Sequence, residues 1–227
     1  MKASTFTSLA LVAILGISVS ASAQDQLVRR APFPYSNRLT LGGGVSQLLL
    51  GGFNVQAEYT TNRLVFDYSH GFNINLNGQS ASLVAQDQNL SEKLTSTLGI
   101  GIGYRITPTF DIRFEPKLHF YEVHYDGQPR TVSNRITTYK TVTLGLGAYY
   151  RYYPFRKQDN ALSGILIMPS VRYWPNVWSS LDDNQLTYAN KTTDRTETYK
   201  AASQGFPGTN GLLANVTIGY TFGARRK

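Results

Sequence analysis

A strict two-residue alternation over residues 94–120 is the feature of this sequence that most constrains its fold. In the first half, every second residue from Leu94 to Ile106 is apolar except Ser96, and the residues between them are mainly threonine and glycine. The pattern resumes at Phe110, and its second face then carries acidic and basic residues. Period-two alternation is typical of β-strands whose two faces meet different environments.

The length of these two segments separates two interpretations. Strands of soluble sheets are usually about five or six residues long, whereas both segments are long enough for the roughly 9–11 residues with which a tilted strand crosses a bilayer. We therefore interpret the apolar face as facing lipid and the charged face as facing the inside of a closed barrel. The stretch alone also permits a long hairpin of a soluble barrel or sandwich.

The N-terminus predicts export. Lys2, the apolar run at residues 9–19 and the A-x-A site at residues 21–23 form the pattern of a secretory signal peptide, and the run is too short for a spanning helix. We predict a signal peptide at residues 1–23 and a periplasmic N-terminal leader at residues 24–37. The barrel is then expected over residues 38–222, followed by a basic tail at residues 223–227.

Composition restricts the chemistry and the partners. The chain has no cysteine, which excludes disulfides, a thiol nucleophile and cysteine metal sites. The formal net charge is +8. Because the chain is predicted to be exported, we expect anionic outer-membrane lipid and lipopolysaccharide as partners and no nucleic acid. We expect a monomer that uses no cofactor.

Eight strands are predicted, with short connections at one rim and long ones at the other. The predicted strands cover residues 38–48, 52–59, 63–76, 94–106, 110–120, 136–152, 163–174 and 212–222. The predicted short connections are residues 60–62, 107–109 and 154–161, and the long ones are residues 77–93, 126–135 and 179–209. This asymmetry is typical of outer-membrane barrels. The predicted fold class is all-β, an eight-stranded antiparallel up-and-down transmembrane β-barrel, with irregular pairing at Pro116.

Two segments carry a resemblance to a known group. Residues 147–154 (GAYYRYYP) and residues 216–222 (VTIGYTF), together with the signal-peptide pattern, resemble small outer-membrane barrels of the OmpA/OmpX type and the outer membrane protein β-barrel domain family. The resemblance covers about residues 38–222. It implies a location in the cell outer membrane and recognition by the barrel-assembly machinery through a terminal aromatic residue. Here the residue of that kind, Phe222, is followed by five more residues.

Charged residues on the second face form the candidate site. The predicted lumenal charge network consists of Glu58, Asp67, Arg105, Asp111, Arg113, Glu115, Lys117, Arg151 and Arg172. Side chains nearly fill the interior of an eight-stranded barrel, and an unpaired buried charge is costly. We therefore expect ion pairs that hold the barrel closed. A narrow, gated, ion-selective path is the alternative.

No catalytic or metal site is predicted. Ser69 and His70 are adjacent, so they should face opposite sides of a strand. His119 is predicted to face the lumen and His124 to turn outward near the external rim, and neither has a matched serine. Two neighbouring carboxylates at residues 182–183 are expected to be solvated in a loop.

These observations favour a structural or interaction role through three external loops. Porin-like transport of small solutes or ions through a narrow gated lumen is the first alternative. A lipid A-modifying enzyme is the second.

Overall fold

The computed structural model describes residues 37–49, 51–75, 89–191, 193–205 and 209–223. The predicted signal peptide, nearly all of the predicted leader and all of the predicted basic tail except Gly223 lie outside the described residues. No helix within those ranges is long and apolar enough to cross a membrane.

The described chain is built almost wholly of strands. These are β1 (Asn37–Gly44), β2 (Phe53–Thr61), β3 (Leu64–Asn75), β4 (Leu90–Arg105), β5 (Phe110–Tyr125), β6 (Arg135–Tyr150), β7 (Ile165–Tyr173), β8 (Asn176–Ser179), β9 (Gln185–Asn190), β10 (Arg195–Lys200) and β11 (Leu212–Phe222). One short helix, α1 (Val45–Leu49), follows β1. Single 3-10 turns lie at Val132–Asn134, Ala161–Gly164 and Asp182–Asn184.

Eight of the strands form a closed antiparallel barrel, which confirms the predicted fold class as far as closure, strand number and direction. Strands β1 to β7 pair in chain order, and β11 pairs with both β7 and β1 to close the sheet. Strand β8 continues the wall beyond β7 and pairs with β6. Strands β9 and β10 form a separate hairpin.

Apolar side chains cover the outside of the barrel, as predicted. The exposed outward set includes Leu39, Leu41, Phe66, Ile100, Ile102, Ile112, Phe114, Leu144, Leu146, Val171, Val216 and Ile218. Exposure reaches 61% at Ile100 and 60% at Leu146. Polar residues of the same strands are buried inside. This arrangement is the reverse of a soluble barrel, which keeps its apolar residues in the core.

Glycines make room in the lumen for its large side chains. A Cβ atom on Gly101 would lie 2.2 Å from Asp67 Oδ2, and one on Gly103 would lie 2.7 Å from Arg113 Cγ. On β6, a Cβ atom on Gly145 would lie 1.6 Å from Trp174 Cδ1. The alternating glycines of the sequence therefore face neighbours that need the space.

The two rims differ as predicted, but the strand ends do not all agree. Strand β1 ends at Gly44, and residues 45–49 form α1 instead of continuing the predicted strand. Residues 90–93, predicted as loop, belong to β4. The predicted loop at residues 179–209 contains the β9–β10 hairpin. We call the rim with the connections between β2 and β3, β4 and β5, and β6 and β7 the short-turn rim, and the opposite one the long-loop rim.

Local irregularities near the long-loop rim reverse two predicted side-chain directions. Leu94 is buried because the register between β4 and β5 shifts between Leu94 and Ser96. Ile74 is also buried because Asn73 adopts a positive φ of 54° and breaks the alternation of β3. By contrast, the β4–β5 ladder is interrupted beside Pro116, between the Gly99–Lys117 and Ile102–Phe114 pairs, and resumes in the same register, so the predicted irregular pairing is present without a bulge.

Candidate functional site

The nine predicted lumenal residues all lie inside the barrel. None is more than 6% exposed. They occupy three levels between the short-turn rim and the middle of the lumen: Arg105 at the rim, an ion-pair cluster above it, and Glu115, Lys117 and Arg172 beyond the cluster.

Arg113 is the centre of the ion-pair cluster. Its Nη2 lies 2.6 Å from Glu58 Oε2, its Nη1 lies 3.2 Å from Asp67 Oδ2, and its Nε lies 2.6 Å from Asp111 Oδ1. Its guanidinium also stacks 3.9 Å from the centre of the Tyr149 ring. The planar guanidinium can hold several carboxylates at once because it presents five donors in fixed directions. Three strands, β2, β3 and β5, are thereby joined across the lumen.

Arg151 joins the same cluster from the end of β6. Its Nη2 donates to Glu58 Oε1 at 2.7 Å, and its Nη1 donates to Asp111 Oδ2. Thr60 also donates to Glu58 Oε1, at 3.1 Å. Glu58 and Asp111 are thus shared by both arginines, as buried charges require. Asp67 contacts Arg113 alone, and its Oδ1 has no hydrogen-bond partner among the described residues.

The other three charged residues rely on aromatic and hydroxyl groups. Glu115 Oε2 accepts from the Tyr149 hydroxyl at 2.6 Å. Lys117 Nζ donates to Ser69 Oγ at 2.6 Å and lies 4.1 Å from the ring centre of Trp174. The guanidinium of Arg172 lies 5.0 Å from the rings of both Tyr149 and Trp174. Cation–π contacts of this kind stabilise a desolvated cation.

Arg105 serves a different part of the barrel. Its Nη1 donates to the carbonyl of Asn62 at 2.9 Å, and its Nη2 donates to the carbonyl of Pro108 at 2.8 Å. These carbonyls belong to the β2–β3 and β4–β5 connections. Arg105 therefore ties two turns of the short-turn rim together.

Two of the histidines, His119 and His124, are buried. His119 faces the lumen as predicted, 2.9 Å from Thr97 Oγ1 through Nδ1 and 2.9 Å from Thr143 Oγ1 through Nε2. His124 is only 2% exposed, but it lies opposite Ser91 in the β4–β5 ladder and its Nε2 is 3.6 Å from Glu122 Oε2, on the face opposite Val123. Its burial therefore does not contradict the predicted outward direction.

A hydrogen-bonded chain on the outer surface was missed by the sequence analysis. His70 Nε2 lies 3.0 Å from Ser96 Oγ, and His70 Nδ1 lies 3.0 Å from the Tyr68 hydroxyl. Phe72 stacks on the imidazole with ring centres 4.0 Å apart. The serine comes from the neighbouring strand, so spacing along the chain does not reveal the pair. Its signal was the lone polar residue, Ser96, in the apolar set of β4.

At the long-loop rim, a tyrosine-rich cluster replaces the ion pairs. Residues 176–205, which we call the cover, pack with their β9–β10 hairpin against the ends of β3 to β6. The buried cluster consists of Ile74, Leu90, Leu94, Tyr121, Val123, Tyr139, Tyr188, Tyr199 and Ala202. Tyr121 and Tyr139 stack with ring centres 4.7 Å apart. Tyr125 fixes the hairpin further by donating to the carbonyl of Ala189 at 2.9 Å.

A single carboxyl is buried within this cluster. Glu92 is 1% exposed, and its Oε2 accepts from the Tyr199 hydroxyl at 2.7 Å, while its Oε1 accepts from the Tyr139 hydroxyl. Burial raises the pKa of the Glu92 carboxyl from 4.5 to about 7, although the two hydroxyl donors offset part of the rise. The sequence analysis assigned this residue to a loop. By sequence, Leu90, Glu92 and Leu94 continue the even-numbered set that faces outward from Leu98, and only the register shift between Leu94 and Ser96 turns them inward.

Among the described residues, no group of three or more histidine, aspartate or glutamate side chains could hold a metal ion. Asp182 and Asp183 are both exposed.

Comparisons with known proteins add little to this geometry. No protein-family model matches the chain, and no curated protein matches it. A crystal structure of a major outer membrane protein from Thermus thermophilus is similar to 82% of this chain and 98% of that one, with 13% identity and a TM-score of 0.41. The fold assignment therefore rests on the strand pairing itself. The resemblance to the OmpA/OmpX group stays a prediction.

Proposed function

We propose that this chain is an integral outer-membrane barrel with a closed lumen, which acts as a structural protein or binds partners through its external loops. The observation that carries the proposal is the inverted distribution of side chains, with apolar residues exposed outside and charged residues buried inside. Hydrocarbon is the surrounding in which such an outer surface is favourable.

The dimensions of the apolar belt support a membrane location. On β4 and the residue that follows it, the exposed outward residues run from Leu98 to Ile106, which matches the roughly 9–11 residues of one crossing. Exposed aromatic residues gather at the short-turn rim: Tyr59, Tyr104, Tyr152 and Phe222. Arg63 lies beside them and donates to the Tyr104 hydroxyl at 3.1 Å. Aromatic and basic side chains favour the headgroup layer.

The contents of the lumen support a closed barrel. Arg113 and Arg151 join carboxylates from opposite parts of the wall, and Trp174 fills the space above them. The cover lies over the long-loop rim. The proposed partners are outer-membrane lipid, lipopolysaccharide and the barrel-assembly machinery, and the proposed state is a monomer.

Gel mobility with and without boiling tests the membrane barrel. A folded outer-membrane barrel resists detergent and changes mobility when heated, so we expect a heat-dependent shift. Replacing an outward residue at mid-belt by lysine, Ile100→Lys, should cost about 2–4 kcal/mol in lipid. The control Thr138→Lys changes an exposed residue beyond the belt and should cost far less. Equal effects of the two variants would contradict the proposal.

Planar-bilayer recordings separate the closed barrel from the transport alternative. We expect no stable openings from the wild-type protein. Reproducible ion-selective openings that change when Arg113 or Arg151 is replaced would instead establish conduction through the lumen.

The outer-surface chain of Tyr68, His70 and Ser96 favours lipid hydrolysis as a second candidate function. In this reaction Ser96 Oγ attacks the carbonyl carbon of a lipid ester while His70 Nε2 takes the hydroxyl proton. The proton passes to the departing alkoxide as the ester bond breaks. Water then attacks the acyl-serine, giving a fatty acid and restoring the hydroxyl.

Fatty-acid release from phospholipid or lipid A by the purified protein tests this candidate. Activity that disappears in Ser96→Ala and in His70→Ala, but persists in the lumenal control His119→Ala, would support it. Absence of release from wild-type protein that passes the gel-mobility test would contradict it.

A further inference from the structure

Glu92 occupies the contact between the cover and the barrel wall. We propose that the Glu92 carboxyl, held between the hydroxyls of Tyr139 and Tyr199, is a pH-sensitive latch that fastens the cover when protonated and releases it when ionised. This regulation goes beyond the proposed function and does not depend on the identity of any partner.

The geometry places the latch across two separate parts of the chain. Tyr199 lies on β10 of the cover, whereas Glu92 lies on β4 of the wall, and the two are joined by a 2.7 Å hydrogen bond. Tyr139 of β6 donates to Glu92 and accepts from the backbone N–H of Ala202 at 2.9 Å. One carboxyl and one wall tyrosine thus hold the cover at two points.

The surroundings of the carboxyl favour its neutral form. The titratable groups around it include Tyr121 of β5, Tyr139 of β6 and Tyr199 of β10, whose hydroxyls are neutral near pH 7. The nearby charged side chains on the wall contact the residues on either side of Glu92. Arg130 Nη2 donates to Ser91 Oγ at 2.7 Å, and Lys93 lies opposite Glu122 in the β4–β5 ladder.

The sign of the pH effect follows from burial. The closed cover holds the pKa of Glu92 at about 7, whereas the ordinary pKa of a solvated glutamate is 4.5. Between these values the open form has lost its proton and the closed form has kept it. The preference for closure therefore falls as the pH rises through this window and is constant below and above it. The closed-to-open ratio should change on the order of 100-fold.

Opening of the cover would change which side chains are exposed at the long-loop rim. The stacked Tyr121 and Tyr139 and the side chain of Leu94 are buried beneath the hairpin. Release of the cover exposes this apolar surface and gives water access to the upper lumen. The latch therefore controls access to the barrel from its long-loop side.

Hydrogen–deuterium exchange of the full chain, folded in detergent micelles, tests the latch. The amide exchange rate in residues 185–200, divided by the intrinsic rate at each pH, should rise on the order of 100-fold from about pH 4 to about pH 8 in the wild type. Glu92→Gln keeps a neutral amide at the same place and should show low uptake throughout. Asp183→Asn removes an exposed carboxyl of the cover and should retain the wild-type pH dependence.

Infrared spectra provide a second measurement that a packing role would not change. A protonated carboxyl in a buried site gives its own carbonyl band, which should titrate with the same midpoint and vanish in Glu92→Gln. Tyr199→Phe removes a donor that favours the charged form, so this band should persist to higher pH. Wild-type exchange that does not vary with pH, or a variation that survives in Glu92→Gln, would overturn the proposal. An unchanged band midpoint in Tyr199→Phe would overturn it independently.

Discussion

The two ends of the barrel bury polar groups in opposite ways. Toward the short-turn rim, Arg113 and Arg151 neutralise the carboxylates of Glu58, Asp67 and Asp111 by direct contact. Toward the long-loop rim, Glu92 is surrounded by tyrosines and burial favours its neutral form. Charge pairing and charge removal both avoid a bare buried ion. Only the second depends on a proton exchanged near neutral pH.

The difference extends to the regularity of the strands. Around the ion-pair cluster, alternation between inside and outside is unbroken. Around the cover, β3 has a residue of positive φ at Asn73, and the β4–β5 and β5–β6 ladders have register shifts. We infer that the ion-pair end supplies most of the resistance to unfolding and that the cover end can rearrange locally.

The largest effect is expected from disrupting the ion-pair cluster. Arg113→Met leaves Asp67 without an arginine and leaves Glu58 and Asp111 with Arg151 alone, so the free energy of unfolding should fall by about 3–5 kcal/mol. Urea unfolding of the lipid-folded protein, followed by tryptophan fluorescence, measures the loss. The control Arg63→Met removes an exposed arginine at the short-turn rim. Similar midpoints for the two variants would show that the cluster contributes little.

The next effect falls on the boundary between the two ends. Gly145→Val places a side chain where Trp174 now lies and should cost about 1–3 kcal/mol through overpacking. Trp174 should move toward water, with emission at longer wavelength in a Trp178→Phe background. Ala148→Val changes a half-buried residue on the outer face of the same strand and should leave the emission unchanged. Unaltered emission from Gly145→Val would mean that Trp174 does not fill the lumen.

A smaller and more local effect is expected at the cover. Tyr199→Phe removes one hydrogen bond to Glu92 and should weaken the cover by about 1 kcal/mol. Protease cleavage within residues 185–200 should become faster, while the urea midpoint of the barrel should not move. Tyr188→Phe, which loses a hydrogen bond within the hairpin to Glu197, is the matched control. A lower barrel midpoint in Tyr199→Phe would show that the two ends unfold together.

The smallest effect concerns the backbone of β3. Asn73→Ala should cost less than about 1 kcal/mol, because alanine tolerates a positive φ less well than asparagine does. Asn73→Gly should be as stable as the wild type, since glycine adopts this conformation freely. Urea midpoints distinguish the variants. A stable Asn73→Ala together with a destabilised Asn73→Gly would indicate that the side chain, not the backbone, matters at this position.

The sequence predicted the barrel best where alternation is uninterrupted. The outward direction of Ile100 and the inward direction of Arg113 follow from period two alone, and the structure agrees with both. Leu94 was placed on the wrong face because a single extra residue in a ladder reverses every later direction. Such a shift depends on pairing between strands, which no local pattern records.

Membership of the lumenal network was predictable, but its pairing was not. Alternation placed all nine residues inside, whereas only three-dimensional register decides that Arg113 meets Glu58 and that Lys117 meets Ser69. Glu92 was missed because its segment is polar and looks like a loop. Its burial depends on Tyr199, which lies more than a hundred residues further along the chain.

The contacts of Arg105 have a consequence for how the wall is assembled. If the register of β3 against β4 shifted by two residues, every side chain would stay on its own face. The preference of apolar side chains for the outer face would therefore not prevent the shift. Arg105 holds the Asn62 and Pro108 carbonyls of two adjacent hairpins, and the slip would part it from one of them. Arg105 therefore selects one register of β3 against β4 among several that would be equally amphipathic.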